Sequence, residues 1–158
     1  MGSWGYGPFD NDAAADLLAF VEEAGPSGWR LVRDALYSKY PQDVIGAGEL
    51  VALALGLGTR RDERALPLAI GRQTAVPWVR RYGRLMPADL PALALDMCRL
   101  ALAHSRKTMK KPPRHQRKLA GLKIVNVFLD EGESAKRWQA TISSLIRRLE
   151  RGRRRRQS

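Results

Sequence analysis

Leu17, Leu18, Val21 and Ala24 recur at helical spacing, which gathers them on one face of a helix, and Gly25-Pro26 stops that run. Asp10, Asn11 and Asp12 stand just before it. Their side chains can accept from the open N–H groups of a first turn, and acidic groups suit the positive end of the helix dipole. The first helix should therefore begin here, with Phe9 placed to staple against its first turn. Ser27 is expected to cap a second helix with Trp29, Val32, Leu36 and Tyr40 on its stripe, ending before Pro41.

From Val44 to Leu55 the chain is apolar nearly all the way round, with Glu49 the exception, which predicts a central buried helix starting near Asp43. Gly46 and Gly48 each cost about 1 kcal/mol there relative to Ala, a cost that close helix packing would offset. Gly56-Leu57-Gly58 ends the helix, and residues 59–66 form a charged connection. Pro67, Gly71, Pro77 and Gly83 divide segment 67–86 into short pieces, with a helix start at Pro77-Trp78-Val79.

Pro87 to Ser105 reads as a helix with Leu90, Leu93, Met97, Leu100 and Ala101 on one face and Pro87 or Pro91 in its first turn. Lys107 to Arg117, which contains Pro112-Pro113, reads as an exposed loop. Leu119 to Leu129 fits a strand by β-branching and a helix by context, and helix is taken here. Ala135, Trp138, Ile142, Leu145 and Leu149 make an amphipathic helix that leaves Lys136, Arg137, Arg147 and Arg148 off the stripe. The whole predicts an all-α fold: one compact bundle of about five to seven helices over residues 1–151. An ordered aromatic arm is expected at 1–9, a basic loop at 106–118, and a tail at 152–158 disordered by charge repulsion.

Charge changes this picture through its placement. The net charge is +12, yet residues 1–103 carry 11 Lys+Arg against 12 Asp+Glu, whereas residues 104–158 carry 17 against 4. The excess thus sits in two clusters: Arg106, Lys107, Lys110, Lys111, Arg114, Arg117 and Lys118, then Arg147, Arg148, Arg151, Arg153, Arg154, Arg155 and Arg156. Such clusters suit phosphates or an acidic protein surface.

Reactive groups are sparse. Cys98 is the single thiol, so no intramolecular disulfide can form, and the start of the chain shows no signal-peptide pattern; a cytoplasmic setting follows as the expectation. Cys98 itself reads as a buried small hydrophobe. His104 and His115 lie on either side of a Pro-Pro loop without Cys or His spacing that completes a metal site, so neither metal nor cofactor is expected. Gly46-Ala47-Gly48 and Gly56-Leu57-Gly58 lack the third glycine and the preceding strand of a dinucleotide loop. Asp10, Asp12 and Asp16 are accounted for by helix capping and dipole compensation, and no base or nucleophile accompanies them.

The opening carries Trp4, Gly5, Gly7, Pro8, Phe9, Asn11 and Asp12, and continues to Asp16. It resembles the bacterial domain-of-unknown-function family 4259, whose members open Met-Gly-x-Trp-Gly-x-Gly-Pro-Phe-x-Asn-Asp. Fainter likeness continues through Asp43–Gly56, Leu90–Ser105 and Trp138–Leu149. The resemblance implies a small, mainly helical bacterial protein without an established enzyme activity, and a place among immunity-type proteins that neutralise a partner toxin. It supplies no catalytic residues. The function expected from residues and resemblance together is non-catalytic binding of a protein with an acidic surface. The alternative is sequence-nonspecific nucleic-acid binding by the same cations.

Overall fold

The computed structural model describes residues 12–38, 40–57, 70–105 and 133–157, and these are almost wholly helical. In chain order the helices are α1 (Asp12–Ala24), α2 (Gly28–Leu36), α3 (Pro41–Ala54), α4 (Ile70–Tyr82), α5 (Leu90–Ser105) and α6 (Glu133–Gln157). Short 3₁₀ turns at Gly25–Ser27 and Gly83–Leu85 join α1 to α2 and follow α4. The all-α expectation holds. The aromatic arm 1–9, the loop 106–118 and the 119–129 element lie outside the described residues.

α3 is the axis of the bundle because its sequence leaves it no polar face. Pro41 and every residue from Val44 to Ala52 are buried, Glu49 included. The helix packs against each of α1, α2, α4, α5 and α6. Gly48 lets α5 and α6 approach: a Cβ there would stand 2.9 Å from Leu145 Cδ2 and 3.0 Å from Cys98 Sγ. The C-terminus of α3 closes as a Schellman turn. Gly56 adopts φ +71°, its N–H donates to Leu53 O, and the Leu57 N–H donates to Ala52 O.

Around this axis the apolar stripes are buried in large part as their spacing predicts, but Ala24 is only half-buried and Tyr40 lies beyond the end of α2, at the N-cap of α3. Leu17, Leu18 and Val21 of α1, Trp29, Val32 and Leu36 of α2, and Leu90, Leu93, Met97, Leu100 and Ala101 of α5 are all buried in one continuous core. Two indoles link α2 to α4. Trp29 Nε1 donates to Tyr82 O at 2.8 Å, Trp78 Nε1 donates to Gly25 O at 3.1 Å, and the two rings sit 4.8 Å apart. Each buried indole N–H thus finds an acceptor, as burial requires.

Three local expectations need correction. Ser27 does not cap α2; it is itself helical in backbone and makes no capping hydrogen bond, because the 3₁₀ turn feeds straight into the helix. α4 runs unbroken through Pro77 instead of splitting there. The proline removes one backbone bond, but Pro77 is exposed while Ala75, Trp78 and Val79 are buried, and these anchors hold the helix. Finally, α6 continues to Gln157, past the point at which a disordered tail was expected. Gly152 is buried, and a Cβ on it would lie 2.5 Å from Leu57 Cδ1, so the end of α3 grips α6 at the residue thought to release it. Arginine is also a good helix former, and cations suit a helix C-terminus.

Candidate cationic interface

The last 25 residues in helical form, α6, combine an apolar seam with a cationic exterior. Trp138, Ile142, Leu145, Ile146 and Leu149 bury the seam against α5 and α3. Arg147, Arg151, Arg153, Arg154 and Arg155 are exposed. Successive helical residues are turned by about 100°, so exposure at 153, 154 and 155 opens more than half of the helix circumference to solvent. Arg156 belongs to the same helix, but its side chain lies outside the described ones.

Arg148 departs from this set. Sequence reasoning placed it with the surface cations, yet it is 5% exposed, and its guanidinium reaches inward to Glu49 on α3. Nη1 donates to Oε1 at 2.8 Å and Nη2 to Oε2 at 2.6 Å, a fork-to-fork pair. Its Nε has no hydrogen-bond partner among the described residues. Arg148 follows Leu145 by one turn and precedes Gly152 by another, which places it at the flank of the buried seam, where a long side chain goes to its counter-charge. Its role is to fix α6 on α3. It leaves the partner-binding set.

A groove of about 450 Å³ runs along α6, lined by Ser144, Arg147, Arg148, Glu150, Arg151 and Arg154. Glu150, the acid in this lining, accepts from Arg99 of α5 at 2.6 Å. The ion pair ties its carboxylate to a neighbouring helix, and the exposed residues of the lining are Arg147, Arg151 and Arg154. The groove is open and lies along a single helix, a form that receives an extended charged surface and not a deeply enclosed small molecule.

The remaining candidate residues fall into two groups. Arg106, Lys107, Lys110, Lys111, Arg114, Arg117 and Lys118 lie outside the described residues, as do Trp4, Gly5, Gly7, Pro8, Phe9 and Asn11. Asp12 opens α1 and Asp16 stands one turn later, exposed. Cys98 is buried beside Gly48, and burial, with a smaller contribution from Glu49, pushes its thiol up to about 12. A thiol held that far from ionisation is not a nucleophile. No group of three metal-ligating side chains gathers among the described residues, and no helix there is long and apolar enough to cross a membrane.

The group that sequence reasoning missed is Asp43. Its carboxyl is raised from 3.8, chiefly by burial and further by Asp16, while the hydrogen bond from Ser38 opposes the rise. Ser38 at five residues' distance was the available signal.

The family model described as Domain of unknown function (DUF4259) matches residues 2–143. No curated protein and no solved structure matches the chain. The arginine-rich half of α6, from Arg147 onward, lies beyond the matched residues.

Proposed function

Because the chain belongs to the DUF4259 family, whose description assigns no activity, we propose its function from surface chemistry: it is a non-catalytic cytoplasmic protein that binds an acidic partner protein through the outer face of α6. One observation carries this reading. Arg147, Arg151 and Arg154 are exposed along a single groove, on a helix whose opposite face is locked by Trp138 and Leu145 and whose flank is fixed by the Arg148–Glu49 pair. Rigid support keeps the guanidinium forks in place before a partner arrives, which lowers the ordering cost of binding. An immunity or defence role, in which the partner is a toxin with an acidic surface, is the form of this reading that fits an accessory binding protein.

Capture of partners from cell extract tests it. Wild type and an Arg147→Glu/Arg151→Glu/Arg154→Glu variant are compared at about 0.15 M salt, near physiological ionic strength. A specific acidic protein retained by wild type and lost by the variant supports the reading; equal retention by both overturns it.

A second reading, nonspecific nucleic-acid binding, is favoured by one feature. All the exposed cations from Arg147 onward are arginines, including the three successive residues Arg153, Arg154 and Arg155, and planar guanidinium groups match phosphate oxygens in pairs. Engaging about seven phosphates would give a log–log salt slope near −6, whereas a protein interface with an apolar centre keeps more of its affinity as salt rises.

A further inference from the structure

α1 presents a second unusual face. Leu17, Leu18 and Val21 point into the core, while Asp16, Ala19, Phe20, Glu22 and Glu23 face outward. Phe20 is 61% exposed, a large aromatic ring left in water among carboxylates. From Asp12 to Trp29 the chain has no Lys or Arg. Asp16, Phe20 and Glu23 stand at positions i, i+4 and i+7 and form one ridge along the helix.

Arg147, Arg151 and Arg154 stand at the same i, i+4 and i+7 positions of α6. Residues seven apart on a helix are separated by about 10.5 Å along the axis, so the two carboxylates of the α1 ridge match the two outer guanidinium groups of the α6 groove. Between them Phe20 meets Arg151, and a guanidinium over an aromatic face is favourable. Within one molecule the ridges cannot meet this way. α1 and α6 each pack on α3, without packing extensively on each other. Ridges of opposite charge on different helices of one chain are placed to meet only between molecules.

We propose that the Asp16–Phe20–Glu23 ridge of one molecule docks into the Arg147–Arg151–Arg154 groove of a second copy of this chain. The contact is heterologous, so each associated pair still presents one ridge and one groove, and association extends head to tail with concentration instead of stopping at a symmetric dimer. It uses the same groove as the proposed partner site without resting on that reading. Self-association covers the groove, and an acidic partner competes with the α1 ridge of a neighbour for it.

Sedimentation of the purified full chain, freed of nucleic acid and checked by absorbance at 260 nm, tests the proposal. In about 50 mM salt the weight-average mass is expected to rise with protein concentration, and to return to that of the monomer in 1 M salt, where charges are screened beyond about 3 Å. The exposed variant Phe20→Ala weakens association about tenfold. Asp16→Arg/Glu23→Arg and Arg147→Glu/Arg154→Glu each abolish it alone. Mixing these two variants restores it, because each then offers the charge the other lacks. A monomeric wild type at low salt, association unchanged by Asp16→Arg/Glu23→Arg, association seen only with added nucleic acid, or no recovery on mixing each overturns the proposal. The α1 variant keeps its α6 groove, so its capture of an acidic partner reports on the proposed function separately.

Discussion

Glu49 and Arg148, 99 residues apart in sequence, form a buried two-pronged ion pair that joins the central helix α3 to the last helix α6. Glu49 is 2% exposed and Arg148 5%, so water compensates neither charge. Removing one partner strands the other. Glu49→Gln and Arg148→Met are each expected to destabilise the fold by about 3–5 kcal/mol in urea unfolding. The double variant Glu49→Leu/Arg148→Met should recover at least about 2 kcal/mol relative to either single change, since it leaves no buried charge. Simple additivity would refute this account.

The exposed pair is the control. Arg33 donates to both oxygens of Asp89 at 2.8 Å, with side-chain exposures of 34% and 65%. Water and salt screen such a pair, so Arg33→Ala should cost less than about 1 kcal/mol. Similar geometry therefore gives different energetics, and burial decides which.

Two glycines should fail for different reasons. Gly48→Ala gains about 1 kcal/mol of helix propensity, but its new methyl meets Leu145, itself fully buried, and Cys98; overpacking of about 1–3 kcal/mol outweighs the gain. Gly56→Ala meets nothing within 4 Å, yet φ +71° is unfavourable for an L side chain, so it loses about 1–2 kcal/mol through backbone strain alone. Thermal denaturation separates the mechanisms through second changes. A smaller residue at Leu145 should improve Gly48→Ala, and Asn should be tolerated better than Ala at 56.

Asp43 links stability to pH. Its carboxyl in the folded protein is raised above 3.8, chiefly by burial, so between 3.8 and its folded value the native state binds more protons than the unfolded chain. Stability contributed by this group is present below 3.8 and is lost as pH rises through the folded value. Asp43→Asn has no such titration. Its stability relative to wild type should improve from acid to neutral pH in paired urea titrations, and a flat difference would contradict the assignment.

Cys98 should be silent in the native protein. With 1% exposure and its thiol pushed up to about 12, it should resist a disulfide reagent at about pH 8 and react promptly once the chain is unfolded in denaturant. Fast native labelling would mean that α5 opens locally.

The amino-acid pattern alone determined that the fold is all-α, that α3 is buried from Val44 to Ala52, and most of the residues of α1, α2, α5 and α6 that face the core, Ala24 and Tyr40 being the apolar positions it misplaced. Periodicity carries that information because it reports which face of a helix avoids water. It does not report what lies opposite. For that reason the burial of Arg148 could not be read from α6, since the counter-charge that draws it inward is on α3. Pro77 and Gly152 looked like breaks for the same reason: local propensity opposes a helix at both, and only the anchors Trp78 and Val79 and the grip of Leu57 show why it continues. Charge placement was legible as a cluster of arginines. Tertiary packing divided that cluster, turning one cation into an internal lock and leaving its neighbours to face solvent.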